Sequence, residues 1–75
     1  MNKTTAELAE IVGGQLYGDP THIISDVKGS RAAGNSHVTF AQGIYLEYIE
    51  ECNAGVILVD ELPQNFTKNI ILCDD

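Results

Sequence analysis

Two aromatic residues flank a short loop in the middle of the chain, and their spacing makes them the best candidates for binding chemistry. Phe40 ends the segment HVTF, and Tyr45 follows after Ala-Gln-Gly-Ile. Two rings across such a loop could hold a flat base between them, since a base stacked on an aromatic ring gains roughly 1–3 kcal/mol. The same pattern is compatible with Phe40 in the core and Tyr45 packed on a sheet. The spacing alone leaves both interpretations open.

The other residue types that commonly react or bind metals show no characteristic spacing. The sequence contains no GxxxxGK[ST] loop, no GxGxxG and no GxSxG. His22 and His37 fall at a strand start and a loop end, where a histidine is usually solvated, and Cys52 and Cys73 form no CxxC motif. We interpret the cysteines as buried thiols in a reducing compartment. We therefore expect no metal and no cofactor.

The charge of the chain argues against several partner classes. The formal net charge is −7, and only four residues are basic. These four are scattered, so they form no stripe that could follow a nucleic-acid backbone or an anionic membrane surface. A small anion could still bind, because one or two local hydrogen-bond donors are sufficient for it. The N-terminus lacks the apolar region of a signal peptide, and no apolar run is long enough to span a bilayer. We expect a cytoplasmic protein without membrane insertion.

Hydrophobic periodicity and turn residues predict the elements that position the two rings. Thr4-Thr5-Ala6-Glu7 has the form of a capping box that opens a short helix, and Gly13-Gly14 would end it. Residues 45–52 show the i, i+3, i+4, i+7 pattern of a second helix. Strands are expected at Gln15–Gly18, His22–Val27, Val38–Phe40, Val56–Val59 and Ile70–Cys73.

These elements predict a small single α/β domain over residues 1–75, with a mixed sheet of about five strands and two short helices. The succession of strand, helix and strand from Val38 to Val59 is one βαβ unit, whose crossover should be right-handed. Ligands of such sheets bind at the carboxyl ends of strands, where Phe40 lies. Tyr45 begins the following helix, where backbone N–H groups point outward.

The order of these segments resembles one known family. The pieces AELAEIVGG, QLYGD, IISDV, HVTF, IYLEYIEECNAGVILVD and NIILCDD are similar in order and spacing to the N-terminal, uridine-binding domain of the UDP-3-O-(3-hydroxyacyl)glucosamine N-acyltransferases of lipid A biosynthesis. The resemblance covers nearly all 75 residues. It implies a domain that binds a UDP-sugar through its uridine and that is a fragment of a longer enzyme.

The resemblance also implies site residues. In that family the uracil ring lies between a Phe at the end of the HVTF-like strand and a Tyr at the start of the next helix, which correspond to Phe40 and Tyr45. The family has an Asn-Pro-x-Tyr stretch after the Phe, and both the Asn and the Pro are missing here. Gln42 is the nearby side-chain amide that could replace the Asn at the base edge. If the loop is aligned without a gap, Leu46 falls at the Tyr position and Tyr48 becomes the stand-in.

Other parts of the family's enzyme have no counterpart in these residues. The resemblance implies that the catalytic histidine, the trimer contacts and the acyl carrier protein site belong to a left-handed β-helix of hexapeptide repeats, and no such repeat occurs in the sequence. We therefore expect the 75-residue chain alone to be catalytically inactive. The complete enzyme would transfer a 3-hydroxyacyl chain from acyl carrier protein to UDP-3-O-acylglucosamine.

Two other interpretations stay open. The N-terminal UDP-binding domain of a Mur ligase has a similar order of segments, and Ser30-Arg31 resembles the Ser-Arg stretch before its Phe-containing strand. A non-catalytic interaction module, with its aromatic residues in the core or at an interface, would explain the missing Asn and Pro. The downstream sequence would distinguish the two enzymes, through hexapeptide repeats for the acyltransferase or an ATP-binding loop for the ligase.

Overall fold

The computed structural model describes residues 2–29 and 31–73, and for Ile44, Tyr45 and Glu47 it describes the backbone only. Strands, one α-helix and one 3-10 helix alternate along this part of the chain. In chain order the elements are β1 (Lys3–Thr4), α1 (Thr5–Val12), β2 (Gln15–Tyr17), β3 (Ile23–Ile24), β4 (Asp26–Val27), β5 (His37–Ala41), η1 (Gly43–Glu51, the 3-10 helix), β6 (Val56–Val59) and β7 (Ile70–Leu72).

The main sheet is mixed and five-stranded, as the sequence predicted. Its strand order is β2-β7-β6-β5-β4. β2 runs antiparallel to β7, and the other neighbouring strands are parallel. β5, η1 and β6 form the expected strand–helix–strand unit, in which Phe40 lies opposite Leu58. Because β4 to β7 are parallel, their carboxyl ends point toward one edge of the sheet.

Helix α1 begins and ends where the local sequence predicts. The Thr4 hydroxyl accepts from the Glu7 N–H at 3.1 Å, and the Glu7 carboxylate accepts from the Thr4 N–H at 2.9 Å, which is a complete capping box. Gly13 ends the helix with φ of 69°, a left-handed conformation that glycine adopts without a steric penalty. These contacts lie within one turn of the chain, so a sequence pattern alone predicts them.

The strand predicted at His22–Val27 is instead divided into two short strands with different partners. Ile23–Ile24 pairs with β1, a strand that the sequence analysis did not predict. Asp26–Val27 pairs with β5 in the main sheet. The chain changes partner at Ser25, because the N-terminal segment competes for the first half of the apolar run. As a result, only two residues of this run remain to form β4.

The second helix exists as predicted, but it has 3-10 geometry and begins at Gly43. A 3-10 helix has three residues per turn, so residues at i and i+3 share a side. Its inner side accordingly consists of Leu46, Ile49 and Cys52, which pack together in the core. The α-helical pattern had placed Tyr48 on the buried face as well. In the structure Tyr48 lies off the buried stripe and is 55% exposed.

Apolar side chains cover both faces of the main sheet. On one face, Leu8 and Ala9 of α1 pack in a cluster with Val38. On the other face, Ile49 of η1 packs in a cluster with Ala41. Strands β6 and β7 contribute to both clusters, which explains why their sequences are continuously apolar. Both faces of the sheet are therefore covered by apolar side chains. The strands differ in how far they extend beyond this core.

Candidate ligand-binding site

Strand β5 extends beyond β4, and this difference opens an edge in the sheet. β4 ends at Val27, which is paired with Val38, and the Lys28 N–H donates to the Val38 carbonyl at 3.1 Å. β5 continues to Ala41 and stays paired with β6 on its other side. Among the described residues, no strand lies beside the end of β5 where β4 would have continued.

A cavity of about 740 Å³ is lined by the end of β5 and the segments next to it. Small-molecule sites in proteins commonly enclose about 300–1,000 Å³, so the volume suits a nucleotide-sized ligand. The walls come from the last residues of β5, from the loop after β4, from η1 and the turn that follows it, and from β6. The lining residues used below are Gly29, Arg31, Thr39, Phe40, Tyr48 and Glu51.

Phe40 is an exposed residue at this cavity and is not part of the core. Its side chain is 66% exposed. Side chains alternate between the two faces of a strand, and Val38 packs on the α1 face while Ala41 packs on the η1 face. Phe40 therefore leaves the sheet on the α1 face, close to its open edge. A large apolar ring in contact with water is available for a ligand to cover.

Tyr48 reaches the same cavity from the opposite face of the sheet. It is carried by η1, which packs on the face that holds Ala41. Phe40 and Tyr48 thus flank the open edge of β5 from its two sides. A flat ligand that touched both rings would lie roughly in the plane of the sheet, where a longer β4 would have been.

The backbone of Phe40 presents a donor to the same space. Along a strand, the N–H and C=O of one residue point to one side, and the side alternates from residue to residue. The carbonyls of Ser36 and Val38 accept hydrogen bonds from Ser25 and Lys28, on the β4 side. Two residues further on, the Phe40 N–H points to that side too. Within residues 2–29 and 31–73, no backbone hydrogen bond continues this ladder from Phe40.

The two other residues that the sequence suggested lie just beyond β5. Gln42 is the exposed N-cap residue of η1 and makes no capping hydrogen bond with its side chain. The described lining of the cavity does not include it. Tyr45 belongs to the first turn of η1, and its side chain lies outside the part of the chain that the structure describes. The structure thus places Phe40 at the cavity, and the binding roles of all three residues stay predictions.

Glu50 and Thr67 connect the outer side of η1 to the loop before β7. The Thr67 hydroxyl donates to Glu50 Oε1 at 2.5 Å, and the Thr67 N–H lies 3.2 Å from both carboxylate oxygens. These bonds, from the hydroxyl first and then from the backbone, lower the pKa of Glu50 below its ordinary value. The contact spans 17 residues of sequence and holds the helix that carries Tyr48.

Arg31 is the cavity residue that sequence reasoning underrated. It was noted only through the Ser-Arg resemblance, although it is one of just four basic residues and lies in the Gly-containing loop before the Phe40 strand. The N–H groups of Ala32 and Ala33 donate to the Gly29 carbonyl at 3.0 and 2.9 Å, and Ala33 is buried. The loop is therefore anchored on both sides of Arg31.

The histidines support loops, which differs from the prediction that they are solvated. His22 Nε2 lies 2.5 Å from the Asn35 carbonyl, and His37 Nδ1 accepts from the Gly34 N–H at 2.8 Å. Both side chains are half-buried, because these short loops leave backbone groups that need partners. Among the described residues, no group of three or more His, Cys, Asp and Glu side chains could hold a metal ion. No helix in the same part of the chain is long and apolar enough to cross a membrane.

Fold and cavity together define a small α/β domain with a candidate ligand site at an open sheet edge. Comparison with known proteins shows which proteins the chain is similar to. Over 64 residues the chain is 33% identical to the UDP-3-O-acylglucosamine N-acyltransferase of Alcanivorax borkumensis, covering 84% of this chain and 19% of that protein. Over 73 residues it is 32% identical to the protein of the same name from Syntrophus aciditrophicus, covering 96% and 20%. No protein-family model matches the chain.

The chain is therefore related, over most of its length, to part of the UDP-3-O-acylglucosamine N-acyltransferases, which confirms the resemblance found in the order of its segments. It spans about one fifth of the length of these relatives. The similarity therefore concerns only that part of each relative.

Proposed function

We propose that this chain binds the uridine end of UDP-3-O-acylglucosamine and contributes substrate binding to an N-acyltransferase. The observation that carries the proposal is the exposed ring of Phe40 beside a nucleotide-sized cavity at the carboxyl end of a parallel strand. Apolar rings of this size are normally buried. A ligand that stacks on the ring would compensate for its exposure to water.

In this proposal the uracil stacks on Phe40, and a tyrosine of η1 covers its other face. The resemblance to the family implies Tyr45 at that position, and Tyr48 is the alternative. The base edge would be read by the Gln42 side-chain amide and by the backbone N–H of Phe40. Uracil carries carbonyl oxygens on its edge, so both groups can act as donors to it. The side-chain amide of Gln42, which is longer than that of Asn, and the backbone N–H of Phe40 would then take the place of the family's Asn.

The role of such a domain in catalysis would be positional. Residues 1–75 would form the N-terminal, nucleotide-sugar-binding part of a longer N-acyltransferase that uses acyl carrier protein as its acyl donor. Binding energy gained at the uridine would hold the sugar amine near reacting groups elsewhere in the enzyme. This arrangement supplies no nucleophile and no general base from these residues.

A titration of the isotope-labelled chain with uridine and with UDP-N-acetylglucosamine, followed by NMR, tests the proposal. We expect backbone shifts to concentrate at the end of β5, in the loop 29–33 and in the first turns of η1. Cytidine and adenosine serve as matched controls for non-specific stacking. Absence of shifts at millimolar ligand, or shifts confined to the opposite end of the strands, would contradict a uridine site here.

A further inference from the structure

One positive charge lies at the wall of the cavity, in a chain that is strongly negative. Arg31 is among the lining residues, and Glu51 is the acidic residue in the described lining. The formal net charge of the chain is −7. A field of this sign repels an anionic ligand at long range, so a phosphate can bind only where a local donor offsets it.

Within the described part of the chain, the guanidinium of Arg31 forms no ion pair. In the described part of the chain the only ion pair within 4.0 Å joins Lys28 Nζ to Asp26 Oδ2. Arg31 is exposed, and no described carboxylate lies within that distance of it. A guanidinium offers a planar fork of N–H donors that matches two oxygens of a phosphate.

The loop also holds Arg31 at a defined place. The two hydrogen bonds to the Gly29 carbonyl and the burial of Ala33 fix the turn on both sides of it. Lys28, three residues earlier, pairs with Asp26 and is not among the described lining residues. Lys68 lines a separate polar cleft near Gly55, next to β7. Arg31 is thus the basic residue in the described lining of the cavity that Phe40 also lines.

We propose that Arg31 binds the diphosphate of the nucleotide sugar while the base lies at Phe40. The inference rests on the proposed function and extends it from the base to the charged part of the ligand. It makes Arg31 a specificity-determining residue that favours nucleotides over nucleosides. The contact would be short-ranged, and added salt would weaken it.

Calorimetric or NMR titration of the chain with uridine, UDP and inorganic pyrophosphate tests this inference. We expect UDP to bind about tenfold more tightly than uridine, an advantage of about 1.4 kcal/mol. Arg31→Gln should remove that advantage and leave the affinity for uridine unchanged. Arg31→Lys should retain part of it, because the charge remains and the fork is lost.

Lys28→Gln, which removes a nearby charge outside the described lining, should keep the advantage. Unchanged ¹H–¹⁵N spectra would show that the variants fold.

The outcomes separate the two proposals. If uridine binds and UDP is no tighter, or if Arg31→Gln keeps the full advantage of UDP, the role of Arg31 is wrong and the uridine site stands. If UDP or pyrophosphate binds through Arg31 while uridine does not, the phosphate site stands and the base site is wrong. If none of the three ligands binds at millimolar concentration, both proposals are overturned.

Discussion

Phe40 and Tyr48 line one cavity from opposite faces of the same sheet. Their chain segments, β5 and η1, are joined by Gln42 alone. This relationship exists because β4 is two residues long while β5 has five. A flat molecule at that edge would extend the sheet, with one ring on each side of it.

Phe40→Ala should weaken uridine binding by tenfold or more, because stacking on an aromatic ring contributes roughly 1–3 kcal/mol. Stability should change little, since the ring is 66% exposed. Ile11→Ala is the matched control, because Ile11 is an apolar residue of α1 that is 65% exposed. Affinity can be measured by NMR titration and stability by urea unfolding. Equal loss of affinity in both variants would argue for a general surface effect.

The two tyrosines of η1 can be ranked by the same titration. We expect Phe40→Ala to reduce affinity more than Tyr48→Ala, because the resemblance to the family implies Tyr45 as the second ring. Tyr45→Ala should then reduce affinity more than Tyr48→Ala. The opposite order would show that the loop aligns without a gap and that Tyr48, which lines the cavity, is the stacking residue.

The chain should prefer uridine to cytidine. The Phe40 N–H and the Gln42 amide can donate to the O4 of uracil, whereas cytosine carries an amino donor there, and a mismatched donor typically costs about 1–3 kcal/mol. Gln42→Ala should reduce this preference without abolishing it, because the backbone donor remains. Competition titrations with the two nucleosides measure the ratio. Equal affinity of the unmodified chain for both would contradict edge recognition by either group.

The bond between Glu50 and Thr67 should make stability depend on pH. The hydrogen bonds from Thr67 lower the pKa of Glu50 from its ordinary 4.5, so their contribution is present above that value and is lost as the pH falls through the folded-state pKa. Thr67→Val should therefore lower the thermal midpoint at pH 7, and the difference from the unmodified chain should shrink toward pH 3.

Thr67→Ser is the control for that experiment, because it keeps the hydroxyl and should keep the pH dependence. The pKa values of Glu7 and Asp19 are also lowered, by backbone hydrogen bonds from Thr4 and Thr21, and they contribute with the same sign in every variant. The difference between the Thr67 variants removes their contribution. A pH-independent difference would mean that Glu50 contributes to packing only.

Gly55→Ala should destabilise the chain by about 1–3 kcal/mol, the usual cost of overpacking. A Cβ at this position would overlap the Asn35 carbonyl oxygen and lie 2.7 Å from His22 Nε2, so the backbone of the loop would have to move. Gly29→Ala is the control, since nothing lies within 4 Å of a Cβ there. Urea unfolding measures both. Equal stability of the two variants would show that the loop yields without cost.

Short-range interactions made part of this fold predictable. The capping box at Thr4 and the glycine stop at Gly13 depend on residues a few positions apart, and the structure contains both. The runs Val56–Val59 and Ile70–Leu72 are apolar on both sides, which is sufficient to predict central strands. The position of Phe40 near the carboxyl end of its strand follows from the same local pattern.

The shape of the site depended on long-range pairing, which no local pattern contains. Ile23 and Ile24 pair with β1, so β4 is short and the edge beside Phe40 stays open. The 3-10 period of η1 turns Tyr48 outward to the cavity, and the turn at Gly29 brings Arg31 to it. The sequence by itself determined the central strands, the first helix and the candidate residues for binding. Only the tertiary structure decided which of them share a cavity, because strand partners compete across the whole chain.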